Sequence, residues 1–512
     1  MNQAKNYYAL IDIGSNTMRL VIYEQEASRR LKEVENVKVV ARLRNHLNAD
    51  NDLTERGQAI LIDTLSDFSS VLNVYPLQQF TCIATAAIRQ ANNQTQLVKR
   101  VKDELGWDMR ILSEAEEAYY GYLAVVNSTS INEGITVDMG GGSTEVTYFK
   151  NRDILFSHSF PFGTLTLDQL ISDQDSKETN NQRIKDFVYE QFATLDWLKD
   201  RHVPIIGIGG SARNLAQIDQ HDKAYPMAGL HQYEMNQDDI LRVFHYLNPL
   251  SLKKRQKVEG LSKDRADIII PAILTFNCLY EYTKATQFIL SQKGLRDGVN
   301  YYFLLNNQQK PLFPNVLEDS MQELVNDYEL NMRQISHVQS LGRMFFDTIT
   351  RAEINDFSPN DWTLLKRASY VYNLGHYIDA ESSAQHSFYL LANRTIDGLM
   401  HDEKLKVALV ASFKNKTVFK QFIHPYKSWL TKTERKKLQH LGALLKFIYA
   451  LDATKRQAID SMDIVIEHKT IQITFYHTKT VTPEAYQIEK QKKHLEKALK
   501  RTIKYDFVKT SL

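Results

Sequence analysis

Two short segments of the chain combine a strand-ending aspartate, a glycine turn and hydroxyl-bearing residues, a combination suited to phosphate chemistry. They are ALIDIGSNTMRLVIY, residues 9–23, and ITVDMGGGSTEVTYF, residues 135–149, and they align without gaps at an offset of 126 residues. Each segment is typical of a strand, a tight turn and a second strand. The repeat therefore predicts a duplicated domain with an active cleft between its halves.

The residue types in these hairpins indicate the ligand. Glycines let backbone N–H groups approach an anion, and Ser or Thr hydroxyls add further donors. An aspartate at a strand end repels phosphate, so it indicates a divalent cation, usually Mg²⁺, held by oxygen ligands. Asp12 and Asp138 occupy these strand ends, and Glu145 is a further carboxylate near the cation. Ordinary glycine turns remain the alternative for either hairpin alone, but the repeat disfavours them.

A predicted helix start between the hairpins carries another candidate. Ser113 and Glu116 have the spacing of a capping box, in which Glu116 satisfies the backbone at the helix start. Glu117 has no such task. It either complements the helix dipole or accepts a proton from an attacking water, as phosphoryl transfer requires. Upstream, Arg89 in ATAAIRQA is either a phosphate clamp or a surface residue.

A third glycine turn, PIIGIGGS at residues 204–211, leads from an apolar strand into a helical stretch. A helix N-terminus after such a turn binds anions, although many α/β connections look the same. The chain has no P-loop signature, and no G-x-G-x-x-G motif opens a dinucleotide fold at its start. The third turn alone is therefore a weak indication of phosphate binding.

Charge is distributed unevenly along the 512 residues. The net charge of +2 is the sum of −4 over residues 1–310 and +6 over residues 311–512. The basic residues are concentrated at the end, where residues 401–512 hold 23 Lys and Arg against 11 Asp and Glu. That end either attracts acidic partners or is a solvated face. Cys82 and Cys278 match no metal spacing and predict buried free thiols in a reducing cytosol. Without a signal peptide or a membrane-length apolar stretch, the chain is expected to be cytoplasmic.

Taken together, these motifs resemble the exopolyphosphatase and guanosine pentaphosphate phosphohydrolase family, within the actin, sugar kinase and chaperone ATPase superfamily. The resemblance implies an α/β fold of duplicated ribonuclease H-like lobes with an interlobe cleft, then an all-α HD-like domain and a small α+β module. The predicted domains span residues 1–125, 126–305, 312–460 and 461–512. The segments that carry the resemblance, in family order, are IDIGSNTMRLVIY, ATAAIRQA, SEAEEAYYGYLAV, VDMGGGSTEV, FPFGTLTL, IIGIGGSARNLA and SQKGLRDGV.

The resemblance also assigns expected roles to residues. Glu117 corresponds to the catalytic base, the second Glu of the family's E-E-A motif, and Arg89 to a phosphate clamp. Asp138 and Glu145 would help to hold Mg²⁺ directly or through water, with Asp12 as the partner of Asp138 in the repeat. The residues expected to line the phosphate path are Ser15, Asn16, Thr17, Gly141, Gly142, Ser143, Gly209, Gly210 and Ser211.

The implied reaction is Mg²⁺-dependent hydrolysis of a terminal phosphoanhydride bond. Exopolyphosphatase activity on inorganic polyphosphate is the first expectation, because the basic end offers many contacts to a long chain. Guanosine pentaphosphate 5′-phosphohydrolase is the close alternative. A kinase or ATPase of the superfamily, which needs an adenosine pocket, and a non-catalytic regulator are less favoured. The family implies a homodimer, and no nucleic-acid or membrane partner is expected.

The second half of the sequence is predicted to be helical after a polar linker at residues 306–311. Predicted helices span residues 317–328, 338–349, 362–378 and 404–413, and a strand at 471–475 precedes a basic helix from 484 to about 501, capped by Thr482 and Pro483. Tyr372-Asn373 stands where an intact HD-like site carries His-Asp. No second metal site is therefore expected, and His337 and His386 are assigned to packing or phosphate contact.

Overall fold

The computed structural model describes residues 6–25, 31–305 and 308–510. Residues 1–5, at the start that is predicted to have no signal peptide, and residues 306–307, in the predicted linker, lie outside this range. The chain forms two compact units, residues 1–225 with 230–316 and residues 226–229 with 317–512. The finer division into four domains remains a prediction.

The first unit is built from alternating strands and helices. Its strands are β1 (Tyr7–Ile13), β2 (Met18–Gln25), β3 (Leu31–Val39), β4 (Leu77–Ala84), β5 (Met109–Ile111), β6 (Glu133–Met139), β7 (Thr144–Lys150), β8 (Asp153–Phe160), β9 (Ile205–Ile208), β10 (Tyr233–Met235) and β11 (Phe288–Leu290). Its helices are α1 (Glu55–Leu72), α2 (Ala86–Arg89), α3 (Gln94–Leu105), α4 (Glu114–Val126), α5 (Thr164–Asp168), α6 (Lys177–Ala193), α7 (Gly209–Asp222), α8 (Gln237–Leu247), α9 (Leu252–Arg255), α10 (Ile269–Thr283) and α11 (Leu295–Leu304).

These strands form two sheets with the same arrangement. The first sheet has the order β3-β2-β1-β4-β5, and the second has β8-β7-β6-β9-β11 with β10 added at its edge. In each, the first three strands are antiparallel and the next two join in parallel. The predicted duplicated α/β fold is therefore confirmed.

The repeated hairpins also match in register. Across β1 and β2, Asp12 faces Arg19, and across β6 and β7, Asp138 faces Glu145. The turns close alike: the Gly14 amide donates to the Thr17 carbonyl at 3.0 Å, and the Gly140 amide to the Ser143 carbonyl at 2.9 Å. The 126-residue repeat is therefore a repeat of backbone geometry as well as of sequence.

Helix α4 is fixed by a core that draws on both sheets. Leu123 of α4 belongs to one buried apolar cluster with Leu10 of β1 and Ile206 of β9. Helix α11 packs closely on α4, since a Cβ at Gly298 would lie 1.8 Å from the Tyr120 carbonyl oxygen. Burial on several sides holds the helix in one position, and this also fixes the place of Glu117 in its first turn.

The second unit is mainly helical and ends in a small sheet. Strand β13 pairs antiparallel with β12 and parallel with β14, and α19 makes the crossover. Buried apolar residues at helical spacing, such as Val338, Leu341 and Phe345 of α13, form the helical core. The elements are α12 (Val316–Asp327), α13 (Met332–Arg351), α14 (Pro359–Tyr370), α15 (Ser383–Asn393), α16 (His401–Ala411), α17 (Lys416–Ile423), α18 (Lys432–Ala450), β12 (Ile459–Glu467), β13 (Thr470–His477), α19 (Thr482–Leu499) and β14 (Thr502–Lys509).

Two predicted details of this unit are wrong. The helix expected at residues 362–378 ends at Tyr370, and a short 3-10 turn follows at Leu374–Tyr377. The chain turns because α15 approaches closely: a Cβ at Gly375 would lie 2.0 Å from the Ser383 carbonyl oxygen. Thr482 is the first residue of α19 rather than its cap, which is Val481.

The cysteines and the length of the apolar helices bear on two further expectations. Cys82 and Cys278 are buried free cysteines, as predicted. Within residues 6–25, 31–305 and 308–510, no helix has the length and apolar character needed to span a membrane.

Candidate active site

A cavity of about 180 Å³ in the first unit gathers most of the predicted site residues. Its wall is formed by the turns of both repeated hairpins, the first turn of α4, and the N-termini of α7 and α11. The predicted residues on the wall are Asp12, Ser15, Asn16, Thr17, Glu117, Asp138, Gly141, Gly142, Ser143, Gly209 and Gly210. Residues more than 100 positions apart in sequence therefore meet at one site.

The third glycine turn is shaped for this site. Gly209 has φ +82°, a conformation that favours glycine, and a Cβ there would lie 2.6 Å from Asp138 Oδ1. Only a residue without a side chain lets α7 begin directly against this carboxylate. The turn therefore places both the helix N-terminus and Asp138 at the cavity.

We expect Gly209→Ala to lower kcat at least about tenfold, because the added methyl displaces Asp138 and small displacements of reacting groups are costly. Gly106→Ala is the matched control: Gly106 has φ +73°, but no atom lies within 4 Å of the point that an added methyl would occupy. It should show only the backbone cost of about 1 to 2 kcal/mol. Denaturant unfolding and kcat measure the two effects, and equal kcat values in both variants would contradict the expectation.

Glu117 faces Arg89 rather than solvent. The predicted capping box forms, with the Glu116 amide donating to Ser113 Oγ at 3.2 Å and the Ser113 amide donating to Glu116 Oε2 at 2.8 Å. Glu116 is thus occupied at the helix start. Glu117 Oε2 accepts a hydrogen bond from Arg89 Nη1 at 2.9 Å, and both side chains are about six-sevenths buried, at 14% and 15% exposure.

Burial changes the proton affinities of the carboxylates. It raises the pKa of Glu117 to about 7, although the Arg89 charge opposes the rise. Burial and then the Asp12 charge raise the pKa of Asp138 to about 6. Burial also raises the pKa of Asp12, against the opposing Arg296 charge, whose Nε lies 3.8 Å from Asp12 Oδ2. Mutual repulsion among these groups indicates a site that gains stability from an added cation.

Three predicted site residues lie outside the cavity wall. Arg89 is turned toward Glu117 and the Leu112 carbonyl, which it contacts at 2.9 Å. Glu145 is 4% exposed and accepts a hydrogen bond from Ser159 Oγ at 2.9 Å. Ser211 is 1% exposed, and its hydroxyl accepts a hydrogen bond from Arg265 Nη1 at 3.3 Å. Arg89 and Ser211 each contact a wall residue, and Glu145 lies behind the wall, opposite Asp138 in the sheet.

The sequence reasoning missed the cations of the site. Burial lowers the pKa of Arg213 and Arg265, and burial together with the charges of Arg296 and Arg213 lowers that of Arg19 to about 10. Arg19 had a signal, since it aligns with Glu145 in the repeat and faces Asp12. Arg265 is the last residue of a short 3-10 turn, Lys263–Arg265, and belongs to no sequence pattern. The missed arginines on the wall are Arg19, Arg213, Arg265 and Arg296.

The donors of this cavity suit Mg²⁺ together with phosphate. Both side-chain polar atoms of Asn16 are buried and have no hydrogen-bond partner, so the amide is available to a ligand. Asp12 and Asp138 supply carboxylate oxygens on the same wall. In the part of the chain that the structure describes, no three His, Cys, Asp or Glu residues form a metal site on their own. One or two carboxylates completed by phosphate oxygens is the usual Mg²⁺ arrangement.

The duplicated α/β fold and the cavity are those of an enzyme that hydrolyses phosphoanhydride bonds. Residues 21–307 match the Ppx/GppA phosphatase family, and residues 316–498 match domain III of Ppx/GppA phosphatases. The chain belongs to the Ppx/GppA phosphatase family.

Individual relatives are similar over much of the chain. A guanosine-5′-triphosphate,3′-diphosphate pyrophosphatase of Pseudoalteromonas translucida is 26% identical over 428 residues, which cover 80% of each chain. The crystal structure of the Aquifex aeolicus Ppx/GppA family member is 26% identical with a TM-score of 0.53, covering 60% of this chain and all of that one. An exopolyphosphatase structure from Cytophaga hutchinsonii, 23% identical with a TM-score of 0.55, has the same coverage and shares the fold.

Proposed function

We propose that the chain is an exopolyphosphatase that releases orthophosphate from the end of inorganic polyphosphate. The observation that carries the proposal is the narrow 180 Å³ cavity, in which a buried carboxylate with a pKa near 7 stands beside glycine turns and arginines. Its volume is below the 300–1,000 Å³ typical of pockets that enclose a whole small molecule. It suits a chain of phosphates better than a nucleoside.

In the proposed reaction, Glu117 accepts a proton from a water molecule as the water oxygen attacks the terminal phosphorus. The anhydride P–O bond breaks, orthophosphate leaves, and the shortened chain retains the bridging oxygen. Arg89 holds Glu117 Oε2, so Oε1 remains for the water. Backbone amides of the glycine turns and the wall arginines stabilise charge on the phosphoryl oxygens.

Asp138 and Asp12 would hold Mg²⁺. Glu145, which lies behind the wall, would help to hold the cation directly or through water. The cation, when bound, would neutralise charge on the phosphate oxygens. Asn16 would bind a phosphate oxygen or a water of the site, because its amide has no protein partner.

The basic end of the chain supports a long polyanion as substrate. Lys490, Lys493 and Lys497 are exposed and follow one another at helical spacing along α19, and the exposed Lys500 follows directly at its end. A row of cations on one face matches the regular charge spacing of a polyphosphate. This row of lysines is a second reason, besides the cavity, for ranking polyphosphate above a single nucleotide.

A second candidate is hydrolysis of guanosine pentaphosphate at its 5′ end, which is favoured by the relative from Pseudoalteromonas translucida. Phosphate release should be measured in parallel, with Mg²⁺, on long polyphosphate, tripolyphosphate, guanosine pentaphosphate and ATP. We expect the highest kcat/KM on long polyphosphate. A higher value on guanosine pentaphosphate would reverse the order of the two candidates, and transfer of phosphate to an acceptor other than water would contradict hydrolysis.

The pH dependence of kcat should show the titration of Glu117, the proposed catalytic base. The pKa of Glu117 is raised to about 7, so the carboxylate is protonated, and unable to accept a proton, at lower pH. We expect kcat to fall about tenfold per unit as the pH decreases below this pKa. A bound cation lowers the pKa and shifts the fall toward acid. A kcat that stays constant from pH 8 to pH 4 would argue against a carboxylate base.

Removal of the second unit should affect long substrates more than short ones. Residues 311–316 belong with the first unit, because the Phe313 amide donates to Asn127 Oδ1 at 2.8 Å and Arg152 Nη1 donates to the Phe313 carbonyl at 2.8 Å. The chain should therefore end after Val316. We expect KM for long polyphosphate to rise at least about tenfold with kcat on tripolyphosphate little changed, and the salt dependence of long-chain binding to weaken. An equal loss on both substrates would contradict a role in chain binding.

A further inference from the structure

The second unit contains a cavity of about 470 Å³, more than twice the volume of the proposed catalytic cavity. It lies between α13, α14, the turn that follows α14, and helices α18 and α19. Tyr372 and Asn373, the pair that replaces the expected metal-binding residues, are on its wall. The position at which an intact HD-like site would carry its metal-binding residues is therefore an open pocket of the size that encloses a small molecule.

Aromatic rings form much of this wall. Tyr372 and Tyr449 stack with centroids 4.2 Å apart and an interplanar angle of 21°. Tyr328 and Tyr377 meet edge to face at 5.2 Å, and Tyr377 is 63% exposed. Tyr449 is buried against Tyr372, whereas the exposed ring of Tyr377 offers a surface to which a planar aromatic ligand can bind. Tyr370 completes the tyrosines of the wall.

The same wall carries positive charge without a matching carboxylate. Lys446 is half-buried, and its Nζ donates to the Lys414 carbonyl at 2.6 Å. Burial, together with the charges of Lys414, Lys493 and Lys490, lowers the pKa of Lys446 to about 8. Among the described residues, no carboxylate forms an ion pair with Lys446. The wall's one carboxylate, Glu329, is exposed.

Amide side chains supply hydrogen-bonding groups between the rings and the cation. Gln487 and Gln491 of α19 and Asn373 lie on the wall, each with both donors and an acceptor. Such groups match the edges of a nucleobase. A stacking surface, a polar edge and an uncompensated cation are the three elements of a nucleotide site.

We propose that this cavity binds a nucleoside phosphate, with the base against the tyrosines and the phosphate at Lys446. Among the described residues of the wall, the one carboxylate is that of the exposed Glu329, so we expect the ligand to be bound and not hydrolysed there. The site is distinct from the proposed catalytic cavity and does not depend on which phosphate chain that cavity cleaves.

Isothermal titration calorimetry of the full chain with AMP, GMP, CMP and UMP tests the proposal, with ribose 5-phosphate and inorganic phosphate as probes that lack the base. We expect at least one nucleotide to bind at one equivalent per chain, about tenfold or more tighter than ribose 5-phosphate. Absence of saturable binding below about 1 mM for all four nucleotides would overturn the proposal. Equal affinity for ribose 5-phosphate would contradict the proposed contact between the nucleobase and the tyrosines.

Variants assign the binding to this cavity. Lys446→Gln should weaken nucleotide binding about tenfold, since a charge-assisted contact is lost. Lys432→Gln, an exposed lysine at the start of the same helix, should leave it unchanged. Tyr377→Ala, at an exposed ring, should weaken binding without affecting folding. Unchanged affinity in both Lys446→Gln and Tyr377→Ala would place the nucleotide elsewhere, and tripolyphosphate hydrolysis by the same samples reports separately on the proposed catalytic function.

Discussion

Replacing Glu117 by glutamine should lower kcat by about 10²–10⁴ while substrate still binds, because the amide keeps the shape of the side chain and cannot accept the proton of the attacking water. The geometry adds a reason for a large effect. The carboxylate is buried, its pKa is raised to about 7, and Arg89 fixes one of its oxygens at 2.9 Å. Initial-rate measurements of phosphate release give kcat, and equilibrium binding of tripolyphosphate gives affinity.

Glu114 provides the matched control, since it lies in the same first turn of α4 but its side chain is 51% exposed. Glu114→Gln should keep nearly full activity. Retention of more than about a tenth of kcat in Glu117→Gln would move the role of base to Glu114, the carboxylate next in line. A large loss in both variants would indicate that the acidic first turn acts as a unit.

Replacing Asp138 by asparagine should lower kcat by about 10²–10³ and raise the Mg²⁺ concentration needed for half-maximal rate. The carboxylate lies on the cavity wall, where burial and the charge of Asp12 raise its pKa to about 6. Without a cation, this charge opposes folding above pH 6, and protonation relieves it as the pH falls through 6. The neutral variant should therefore be at least as stable as the wild type at pH 7 while losing activity.

Glu133, at the opposite end of strand β6, is the control for Asp138. Its carboxylate accepts a hydrogen bond from Tyr148 Oη at 2.6 Å and lies outside the catalytic cavity. Glu133→Gln should leave both kcat and the Mg²⁺ dependence unchanged. An Asp138→Asn enzyme within about threefold of the wild type, with the same Mg²⁺ dependence, would assign the cation to other residues.

The sequence predicted the parts of the site that local patterns encode. Asp12 and Asp138 were found because a repeat preserves spacing, and Glu117 because the capping box accounted for its neighbour Glu116. The arginines were harder: Arg265 reaches the wall from a turn more than fifty residues beyond the glycine turn that it contacts. Tertiary packing, which has no period in the sequence, brings it there.

Orientation within a motif was also beyond the sequence. Gly209, Gly210 and Ser211 were equivalent candidates, yet α7 begins at Gly209 and turns the Ser211 hydroxyl away toward Arg265. Likewise, whether Arg89 faced phosphate or a carboxylate depended on where a four-residue helix placed it. The direction of such a side chain depends on the residue at which its helix begins. Composition and motif spacing do not determine that residue exactly.

The paired hairpins have a consequence for the direction in which a substrate binds. Their backbones are equivalent, and equivalent backbones alone would receive a phosphate chain equally well in either orientation. At one aligned position, however, the first copy has Arg19 opposite its aspartate and the second has Glu145. This difference puts an arginine on the cavity wall beside Asp12 and a buried carboxylate behind the wall beside Asp138. We therefore expect the phosphate chain to bind in one orientation, with phosphate toward the first hairpin and the cation toward the second.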